Sequence, residues 1–285
     1  MRARRPRSQE RLTADGGKLQ ESVRLLKVAL FVGGRGTRLL GDESPLPKAL
    51  FEVGDRPIVW HIMRSFMAAG MNRFVLLLGY RGDLIADYFI HHAPYESADV
   101  LVTAGSGGRP EVEVIGPGDP GWEITLCPTG TDTEKGERLR IARRYLEQEP
   151  DFMATYGDGL SDIDIRGLAD FHRSHGKIAT VTAVRVNSQW GHLELDGGGL
   201  VTGLIEKPPL DGWVNGGFFV FKREVLDYLD PNDTLESNCL PRLAADGQLM
   251  AYRHEGFWTA MDTYKDNLAL NQLWDSGVAP WRTWG

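Results

Sequence analysis

K-V-A-L-F-V-G-G-R-G-T-R-L-L-G-D-E-S-P-L-P-K occupies residues 27–48 of the chain and joins a short apolar run to a glycine-rich segment. The apolar run, residues 28–32, predicts a buried β-strand. Glycines follow it at once, and they let backbone N–H groups approach phosphate oxygens because no Cβ stands in the way. Arg38 adds a planar donor fork suited to phosphate, and Lys48 returns a second cation to the same place. We therefore predict a phosphate-binding loop after the first strand.

Other interpretations of this loop fit the residues less well. A P-loop requires Lys-Ser or Lys-Thr after its glycines, and neither follows here. The Gly-x-Gly-x-x-Gly fingerprint of dinucleotide-binding proteins has Leu39 in place of its third glycine, and prolines follow soon after. A tight turn between two strands stays open as the plainest alternative.

Composition limits the class of protein. The chain has 285 residues, of which 42% are hydrophobic, enough for one large α/β domain or two small ones. Its net charge of −7 argues against a general nucleic-acid binder. Residues 1–24 hold seven basic and three acidic residues, and we predict a flexible basic tail there, followed by one domain over residues 25–285. A nucleic-acid-binding arm is the alternative for the tail.

Cysteine usage and hydropathy bear on location. Cys127 and Cys239 lie far apart without a C-x-x-C pattern, so we expect neither a disulfide framework nor a zinc site, and a reducing cytoplasm. No apolar run approaches the ~20 residues of a membrane span, and no apolar core follows the Arg-rich N-terminus as in a signal peptide.

Alternating strand and helix patterns follow the first loop. Pro57 is expected as the first residue of a helix, Arg73–Leu78 as a strand and residues 83–91 as another helix. This order predicts a three-layer α/β/α, Rossmann-like fold with a mostly parallel mixed sheet and a small β excursion. The remaining predicted helices are 137–146, 164–175, 224–229, 235–246 and 263–275; the remaining predicted strands are 99–103, 111–115, 123–127, 151–156, 178–185, 193–195, 200–205, 216–221 and 250–253.

Asp158 is a candidate metal ligand from its position, whereas Asp262 becomes a candidate only through the resemblance given below. Asp158 stands between two glycines directly after a predicted strand, where ligands of open α/β sheets bind. A carboxylate there suits Mg²⁺, which binds proteins through one or two carboxylates plus substrate phosphates. A plain turn residue is the alternative for Asp158. Asp262 precedes the last predicted helix, so its alternative role is that of a helix N-cap.

Several other polar residues are weaker candidates. Lys207 precedes Pro208, which should hold it extended, and Glu206 beside it could accept sugar hydroxyls; an exposed strand-end lysine is the alternative. His172 and His175 share a helix face without a cysteine or carboxylate pattern, so we interpret them as ordinary helix residues rather than zinc ligands. The chain has no Gly-x-Ser-x-Gly motif, which argues against a serine hydrolase.

The chain resembles the sugar-1-phosphate nucleotidylyltransferases over about residues 25–285. The first loop with Pro47-Lys48 resembles the superfamily, and two further segments narrow the resemblance to glucose-1-phosphate cytidylyltransferases: Trp60-His61-Ile62-Met63 and Pro280-Trp281-Arg282-Thr283-Trp284. Other matching segments are Gly79-Tyr80-Arg81-Gly82, Thr155-Tyr156-Gly157-Asp158-Gly159, Glu206-Lys207-Pro208, Asn215-Gly216-Gly217-Phe218-Phe219 and Met261-Asp262-Thr263.

The resemblance implies roles by position. Arg38, Lys48, Asp158 and Asp262 would be catalytic, and the two aspartates would hold Mg²⁺. Glu206, Lys207, Asn215 and Gly216 would bind the sugar phosphate. The nucleotide would be bound by Phe31, Val32, Gly33, Gly34, Arg35, Gly36, Thr37, Arg38, Gly79, Thr133, Arg138 and Gly157.

The resemblance also implies a reaction. CTP and glucose 1-phosphate would give a CDP-sugar and pyrophosphate, in a homo-oligomer. From the charge and hydropathy given above, we expect no nucleic-acid or membrane partner. The segment Thr133-Glu134-Lys135-Gly136-Glu137-Arg138 departs from the family's Thr-x-Thr-Gly-Gly-Arg pattern where base or sugar could be chosen. Two alternatives stay open: the same chemistry on another base, sugar or cyclitol phosphate in a secondary-metabolite pathway, and a catalytically silent nucleotide-sugar sensor.

Overall fold

The computed structural model of the chain describes residues 26–35, 46–93, 99–104, 110–115 and 121–284. The predictions for the tail, residues 1–24, and for Gly36, Thr37 and Arg38 lie outside the described residues.

A mixed sheet forms the centre of the domain. Its strands β8, β1, β4 and β7 lie side by side in that order and run parallel, and Leu30 pairs with Leu76 on one side and Thr155 on the other. The sheet continues from β8 to β14 and then β10, both antiparallel pairings, and β10 also pairs with β13 and β15. The bounds of these strands are β1 Lys27–Phe31, β4 Arg73–Leu78, β7 Glu123–Pro128, β8 Asp151–Tyr156, β10 Ala179–Val184, β13 Val214–Asn215, β14 Phe219–Lys222 and β15 Leu249–His254.

Helices cover both faces of the sheet, because the central strands are apolar on both faces. In β1, Val28 and Leu30 belong to one apolar core, while Ala29 and Phe31 belong to the other. This arrangement confirms the predicted three-layer fold. The helices are α1 Ile58–Ala68, α2 Gly82–Asp87, α3 Lys135–Ile141, α4 Arg143–Leu146, α5 Ile165–His175, α6 Leu240–Ala245 and α7 Tyr264–Asp275, with 3₁₀ or π turns at Lys48–Leu50, Tyr88–His92, Arg223–Tyr228 and Leu235–Cys239.

Short antiparallel ribbons lie outside the main sheet. The predicted excursion is confirmed as β5 Asp99–Ala104 paired with β6 Pro110–Ile115, and the predicted hairpin as β11 His192–Leu195 paired with β12 Val201–Ile205. Two further ribbons escaped prediction because each strand has only two or three residues. They are β2 Glu52–Val53 with β3 Arg56–Pro57, and β9 Gly159–Ser161 with β16 Trp258–Ala260.

Some predicted elements are divided or shifted. Pro57 is the N-cap of α1 rather than its first residue, because its ψ of 147° is still extended. The helix predicted at 137–146 is interrupted at Ala142, which has a ψ of 0°. The helix predicted at 235–246 begins as a π turn, and Pro241 follows at the start of α6. The strand predicted at 216–221 begins only at Phe219, because Gly217 and Phe218 have φ angles of 73° and 45°.

No described helix is long and apolar enough to cross a membrane.

Candidate active site

The candidate site lies where the parallel strands end. Phe31, Leu78, Pro128 and Tyr156 are the last residues of β1, β4, β7 and β8, so the segments that follow these strands meet at one edge of the sheet. Backbone hydrogen bonds hold these segments together: Tyr80 donates to the carbonyl of Gly33 at 3.3 Å, and Gly157 donates to that of Phe31 at 3.1 Å.

The β9–β16 ribbon brings Asp158 and Asp262 together from distant parts of the chain. Asp158 immediately precedes β9, and Asp262 follows β16 after one residue. Gly159 pairs with Ala260, and the backbone N–H of Met261 donates to the carbonyl of Asp158 at 2.9 Å. The predicted proximity of the two aspartates is therefore present, and a ribbon that the sequence did not predict produces it.

Lys48 joins the two carboxylates. Its Nζ lies 2.6 Å from Oδ2 of Asp158 and 2.7 Å from Oδ1 of Asp262. The lysine side chain is only 12% exposed, whereas those of the two aspartates are 28% and 39% exposed. Burial lowers the pKa of Lys48, but the two carboxylates outweigh that effect and leave the pKa above its ordinary value. The site therefore contains a charged ammonium group between two carboxylates.

The structure excludes the N-cap role proposed as the alternative for Asp262, and it places Asp158 in the turn proposed as its alternative. Thr263, not Asp262, is the N-cap of α7, and it forms a capping box with Asp266. The N-cap interpretation of Asp262 is therefore wrong, and its side chain turns to Lys48 instead. Asp158 does occupy a turn, between β8 and β9, and its carboxylate nevertheless reaches Lys48.

Arg138 lies between Gly33 and Gly79 at the predicted nucleotide loop. A Cβ added to either glycine would come within 2.7 Å of the guanidinium group, so only glycine permits this approach. Arg138 is 5% exposed, and its Nη1 donates to the carbonyls of Leu78 at 3.1 Å and Gly130 at 2.8 Å. Burial lowers the pKa of Arg138, and acidic neighbours offset part of that effect. Arg138 thus ties the segments after β4 and β7 to the first loop.

The other predicted nucleotide residues surround this arginine. Arg35 is exposed, forms an ion pair with Asp132 and lies 5.3 Å from the centre of the Tyr80 ring. Thr133 donates its hydroxyl to the carbonyl of Thr129 at 2.5 Å. A Cβ at Gly157 would lie 2.8 Å from the carbonyl oxygen of Phe31, so this position also requires glycine. Phe31 and Val32 are buried, and Gly34 is exposed beside them.

The predicted sugar-phosphate residues divide into two groups. Asn215 and Gly216 lie near the acidic pair: Trp258 of β16 donates its indole N–H to the carbonyl of Gly216 at 2.8 Å. Beside them is a cleft of about 520 Å³ lined by residues that include Asn187, Val214, Trp258 and Asp262. This volume falls within the range of about 300–1,000 Å³ that is typical of small-molecule sites.

Glu206 and Lys207 lie on the exposed end of the β11–β12 hairpin. Pro209, two residues after Lys207, forms a β-bridge with Asn187 of the cleft. The prediction that Pro208 holds Lys207 extended is wrong, because Lys207 has a φ of 49°. The chain turns sharply at this residue as it leaves β12 for the Asn187 segment.

The two helix histidines have a structural position away from this edge. His172 and His175 both contact the hydroxyl of Thr180 at 2.8 Å, near the start of β10. The described part of the chain contains no group of three or more side chains that could hold a metal ion.

Sequence reasoning missed three polar side chains at the same edge: Lys135, Tyr156 and Glu236. The Tyr156 hydroxyl donates to Oε1 of Glu236 at 2.9 Å, and Lys135 donates to the same oxygen at 2.6 Å. Tyr156 could have been found, since it ends β8 directly before Gly157-Asp158. Glu236 lies in residues 235–240, which depart from the family's Trp-Glu-x-x-Pro-Leu stretch, but no local pattern indicated its hydrogen-bond partners, which lie far away in the sequence.

Asp158 and Asp262 fit a divalent metal ion of the kind that enzymes acting on phosphates use. Two carboxylates already converge on one cation, the ammonium group of Lys48. Two protein oxygens suffice for Mg²⁺ when substrate phosphates and water complete its coordination. Asp158 and Asp262 are therefore the residues that would hold such a metal.

The fold, and the cluster of Lys48, Asp158 and Asp262 at the carboxyl edge of the sheet, are what is expected of an α/β enzyme that acts on phosphate groups. The chain belongs to the nucleotidyl transferase family, whose model matches residues 27–273. A probable glucose-1-phosphate cytidylyltransferase of Bacillus subtilis is 40% identical over 261 residues, 91% of this chain and 100% of that protein. The glucose-1-phosphate cytidylyltransferase of Salmonella typhi is 39% identical over 262 residues, with the same coverage.

A solved structure has the same fold. HddC from Yersinia pseudotuberculosis matches with a TM-score of 0.63 over 88% of this chain and all of its own, at 18% identity. This match confirms the predicted fold, and the sequence relatives confirm the predicted class, a sugar-1-phosphate nucleotidyltransferase. Enzymes of this family generally use a divalent metal.

Proposed function

We propose that the chain transfers a cytidylyl group from CTP to glucose 1-phosphate, which yields CDP-glucose and pyrophosphate. The convergence of Lys48, Asp158 and Asp262 beside a glycine loop carries the proposal. The choice of substrates is supported by the two cytidylyltransferases that are 40% and 39% identical over their whole lengths.

The chemistry follows from the charges of the reactants. A phosphate oxygen of the sugar 1-phosphate attacks the α-phosphorus of CTP, a new P–O bond forms, and the bond from that phosphorus to the bridging oxygen breaks as pyrophosphate leaves. The attacking oxygen is already anionic, so the reaction requires no general base. The enzyme must position two anions and neutralise the charge at the α-phosphorus. Lys48 supplies a positive charge there, and its raised pKa keeps it protonated.

We assign Mg²⁺ to Asp158 and Asp262. When bound, it would neutralise charge on the phosphate oxygens. The nucleotide is assigned to the loop from Phe31 onward, including Gly36, Thr37 and Arg38 outside the described residues, and to Gly79, Thr133, Arg138 and Gly157. The sugar phosphate is assigned to the cleft beside Asn215, Gly216 and Asp262, with Glu206 and Lys207 of the hairpin at its margin.

A pyrophosphate-release assay tests the substrate assignment. Purified protein is incubated with Mg²⁺ and glucose 1-phosphate, and separately with CTP, UTP, dTTP, ATP or GTP. We expect a wide preference for CTP over the purines, with UTP the nearest competitor, because a wrong base leaves buried polar groups unpaired. A purine preference would refute the cytidylyl assignment but not nucleotidyl transfer. No release with any nucleotide, over several sugar and cyclitol phosphates, would favour a sensor.

We also propose that the chain forms a homo-oligomer in the cytoplasm. The oligomer is supported by the exposed apolar side chains of the β11–β12 hairpin, which a second copy of the chain would cover. The cytoplasmic location is supported by the two cysteines, which are both free and buried.

A further inference from the structure

A chain of hydrogen-bonded side chains, here called the relay, lies beside Asp158 and Asp262. The Tyr156 hydroxyl donates to Glu236 at 2.9 Å and accepts a hydrogen bond from the side-chain amide of Asn215 at 2.9 Å. The other end of the Asn215 amide, Oδ1, accepts from the backbone N–H of Gly217 at 2.9 Å. These two bonds fix which way the Asn215 amide faces. The relay thus joins a carboxylate to an amide of known orientation.

Glu236 is held as an ionised carboxylate at the end of this relay. Its Oε1 accepts both from Tyr156 and from Lys135, whose ammonium group lies 2.6 Å away and 5.1 Å from the centre of the Tyr156 ring. The other oxygen, Oε2, has no side-chain donor among the described residues. The side chain of Glu236 is 33% exposed, so water or a ligand reaches it.

The position of the relay connects it with the reaction. Tyr156 precedes Asp158 by two residues, and Gly216, next to Asn215, accepts the indole N–H of Trp258 in the wall of the cleft. Lys135 begins α3, the helix that carries Arg138 to the nucleotide loop. The relay therefore lies between the proposed metal ligands, the nucleotide loop and the proposed sugar cleft.

We propose that Glu236 is a specificity-determining residue, which reads a ring hydroxyl of the sugar together with Asn215. A carboxylate oxygen accepts from a hydroxyl, and the second N–H of the exposed Asn215 amide donates to one. Tyr156 and Lys135 position these two groups and need not touch the sugar. A site that binds a hydroxyl in this way rejects analogues that lack it, because its own polar groups are then left unpaired.

This inference rests on the proposed function, and kinetics of Glu236→Gln test it. With CTP and glucose 1-phosphate, we expect KM for the sugar phosphate to rise about 10- to 100-fold, while KM for CTP stays within about twofold. Wild type should discriminate strongly against one monodeoxy analogue of glucose 1-phosphate, and Glu236→Gln should lose that discrimination. Tyr156→Phe, which keeps the ring but breaks the relay, should show a smaller defect of the same kind.

Glu147→Gln is the matched control. Glu147 forms an exposed ion pair with Arg143 at 3.4 Å on α4, beside Tyr145, whose carbonyl accepts from Lys27 at the start of β1. It thus lies at the opposite edge of the sheet, and both KM values should match those of wild type. Unchanged discrimination in Glu236→Gln would overturn the inference. So would an equal rise of both KM values, or a lower Tm with unchanged kinetics, since either indicates a structural role alone.

The same experiments distinguish failure of the proposed function from failure of the inference about Glu236. If wild type prefers another nucleotide or sugar 1-phosphate, the CTP–glucose assignment fails, and the same variants are compared with the preferred pair. If wild type transfers to no sugar phosphate, calorimetric titration with glucose 1-phosphate decides the inference. Weaker binding by Glu236→Gln than by wild type would support it, and equal or absent binding in both would overturn it.

Discussion

Lys48 has two properties that determine its part in the site. It is mostly buried, and it is held by two carboxylates that the chain brings together from residues 158 and 262. Breaking a buried ion pair leaves an uncompensated charge, so each partner contributes to stability as well as to chemistry. Experiments on this cluster must therefore measure turnover per folded molecule and stability separately.

The aspartates are tested by Asp158→Asn and Asp262→Asn. Each should lower kcat/KM by about 100-fold or more and leave a folded protein, because each removes a negative charge that would hold the metal. The measurements are pyrophosphate release and the circular-dichroism melting curve. Thr263→Ala is the matched control: it removes the N-cap of α7 and should cost about 1 kcal/mol of stability at unchanged turnover per folded molecule. An Asp262→Asn variant that behaves like Thr263→Ala would exclude Asp262 from catalysis.

The two lysines should differ in their kinetic effects. Lys48→Ala should mainly lower kcat, by about 100- to 1,000-fold, because its charge acts at the reacting phosphorus. Lys207→Ala should mainly raise KM for the sugar phosphate, as expected for a group at the margin of the cleft. Initial-rate kinetics with each substrate varied in turn separate the two effects. Equal sugar-phosphate KM values in wild type and Lys207→Ala would remove Lys207 from the site.

Sequence patterns identified the charged residues of the site better than the residues that position them. Lys48 follows Pro47 and Asp158 lies between two glycines after a strand, whereas only the family resemblance indicated Asp262; the structure brings the three side chains together. Tyr156 and Glu236 are 80 residues apart, and no local pattern reports a hydrogen bond over that separation. The same holds for the guanidinium of Arg138, whose place between Gly33 and Gly79 depends on three different strand ends.

At the level of elements, the aromatic C-terminal segment packs against α1. Trp281 is fully buried and donates its indole N–H to Nδ1 of His61 at 3.4 Å. Nε2 of His61 lies 2.8 Å from the carbonyl of Val53, so it must carry the proton and donate. If Nδ1 of His61 were protonated, its N–H would face the indole N–H of Trp281, and neither donor would have an acceptor there. The two segments that narrowed the family resemblance thus contact one another, and their contact requires a neutral histidine.

His61 should make stability depend on pH. Burial lowers the pKa of His61 to about 4 from its ordinary value of 6.5, and the Val53 carbonyl offsets only part of this effect. Between these values the unfolded chain binds more protons than the folded one. Stability from this group is therefore complete above pH 6.5 and falls as the pH decreases towards 4, by up to about 3 kcal/mol.

Urea unfolding between pH 7 and 4.5 measures this effect in wild type and His61→Gln. Gln keeps a donor for the Val53 carbonyl but does not titrate, so the difference in unfolding free energy between the two proteins should shrink as the pH falls. His172, whose pKa burial lowers to about 3, is present in both proteins and cancels in the comparison. A difference that is constant with pH would show that His61 is not held neutral in the folded state.

Elements with a strong apolar pattern were predicted closely, and short ones were not. Arg73–Leu78 and Asp151–Tyr156 have the predicted bounds because an apolar run between turn residues has few alternatives. The β9–β16 ribbon has three residues in each strand, and a pairing between residues 160 and 259 leaves no local signal. That ribbon positions the acidic pair, so this part of the site could not be predicted from periodicity.

For the whole molecule, the β11–β12 hairpin raises the question of what covers it. Leu204 and Ile205 are adjacent in one strand, so they lie on opposite faces, yet they are 65% and 51% exposed. Leu193, the cross-strand partner of Leu204, is 55% exposed. An isolated two-stranded ribbon is marginally stable in water, so apolar side chains on both faces favour burial against another surface.

Light scattering coupled to size-exclusion chromatography tests whether that surface is a second copy. Wild type should elute at a multiple of the 31.7 kDa chain mass. The double variant Leu193→Lys, Leu204→Glu should shift to a smaller species, because it places charges at the interface while its opposite charges still pair across the strands. Val278→Lys, at an apolar residue that is 68% exposed elsewhere, controls for added charge and should keep the wild-type mass. A monomeric wild type, or a double variant of unchanged mass, would exclude the hairpin as the contact between copies.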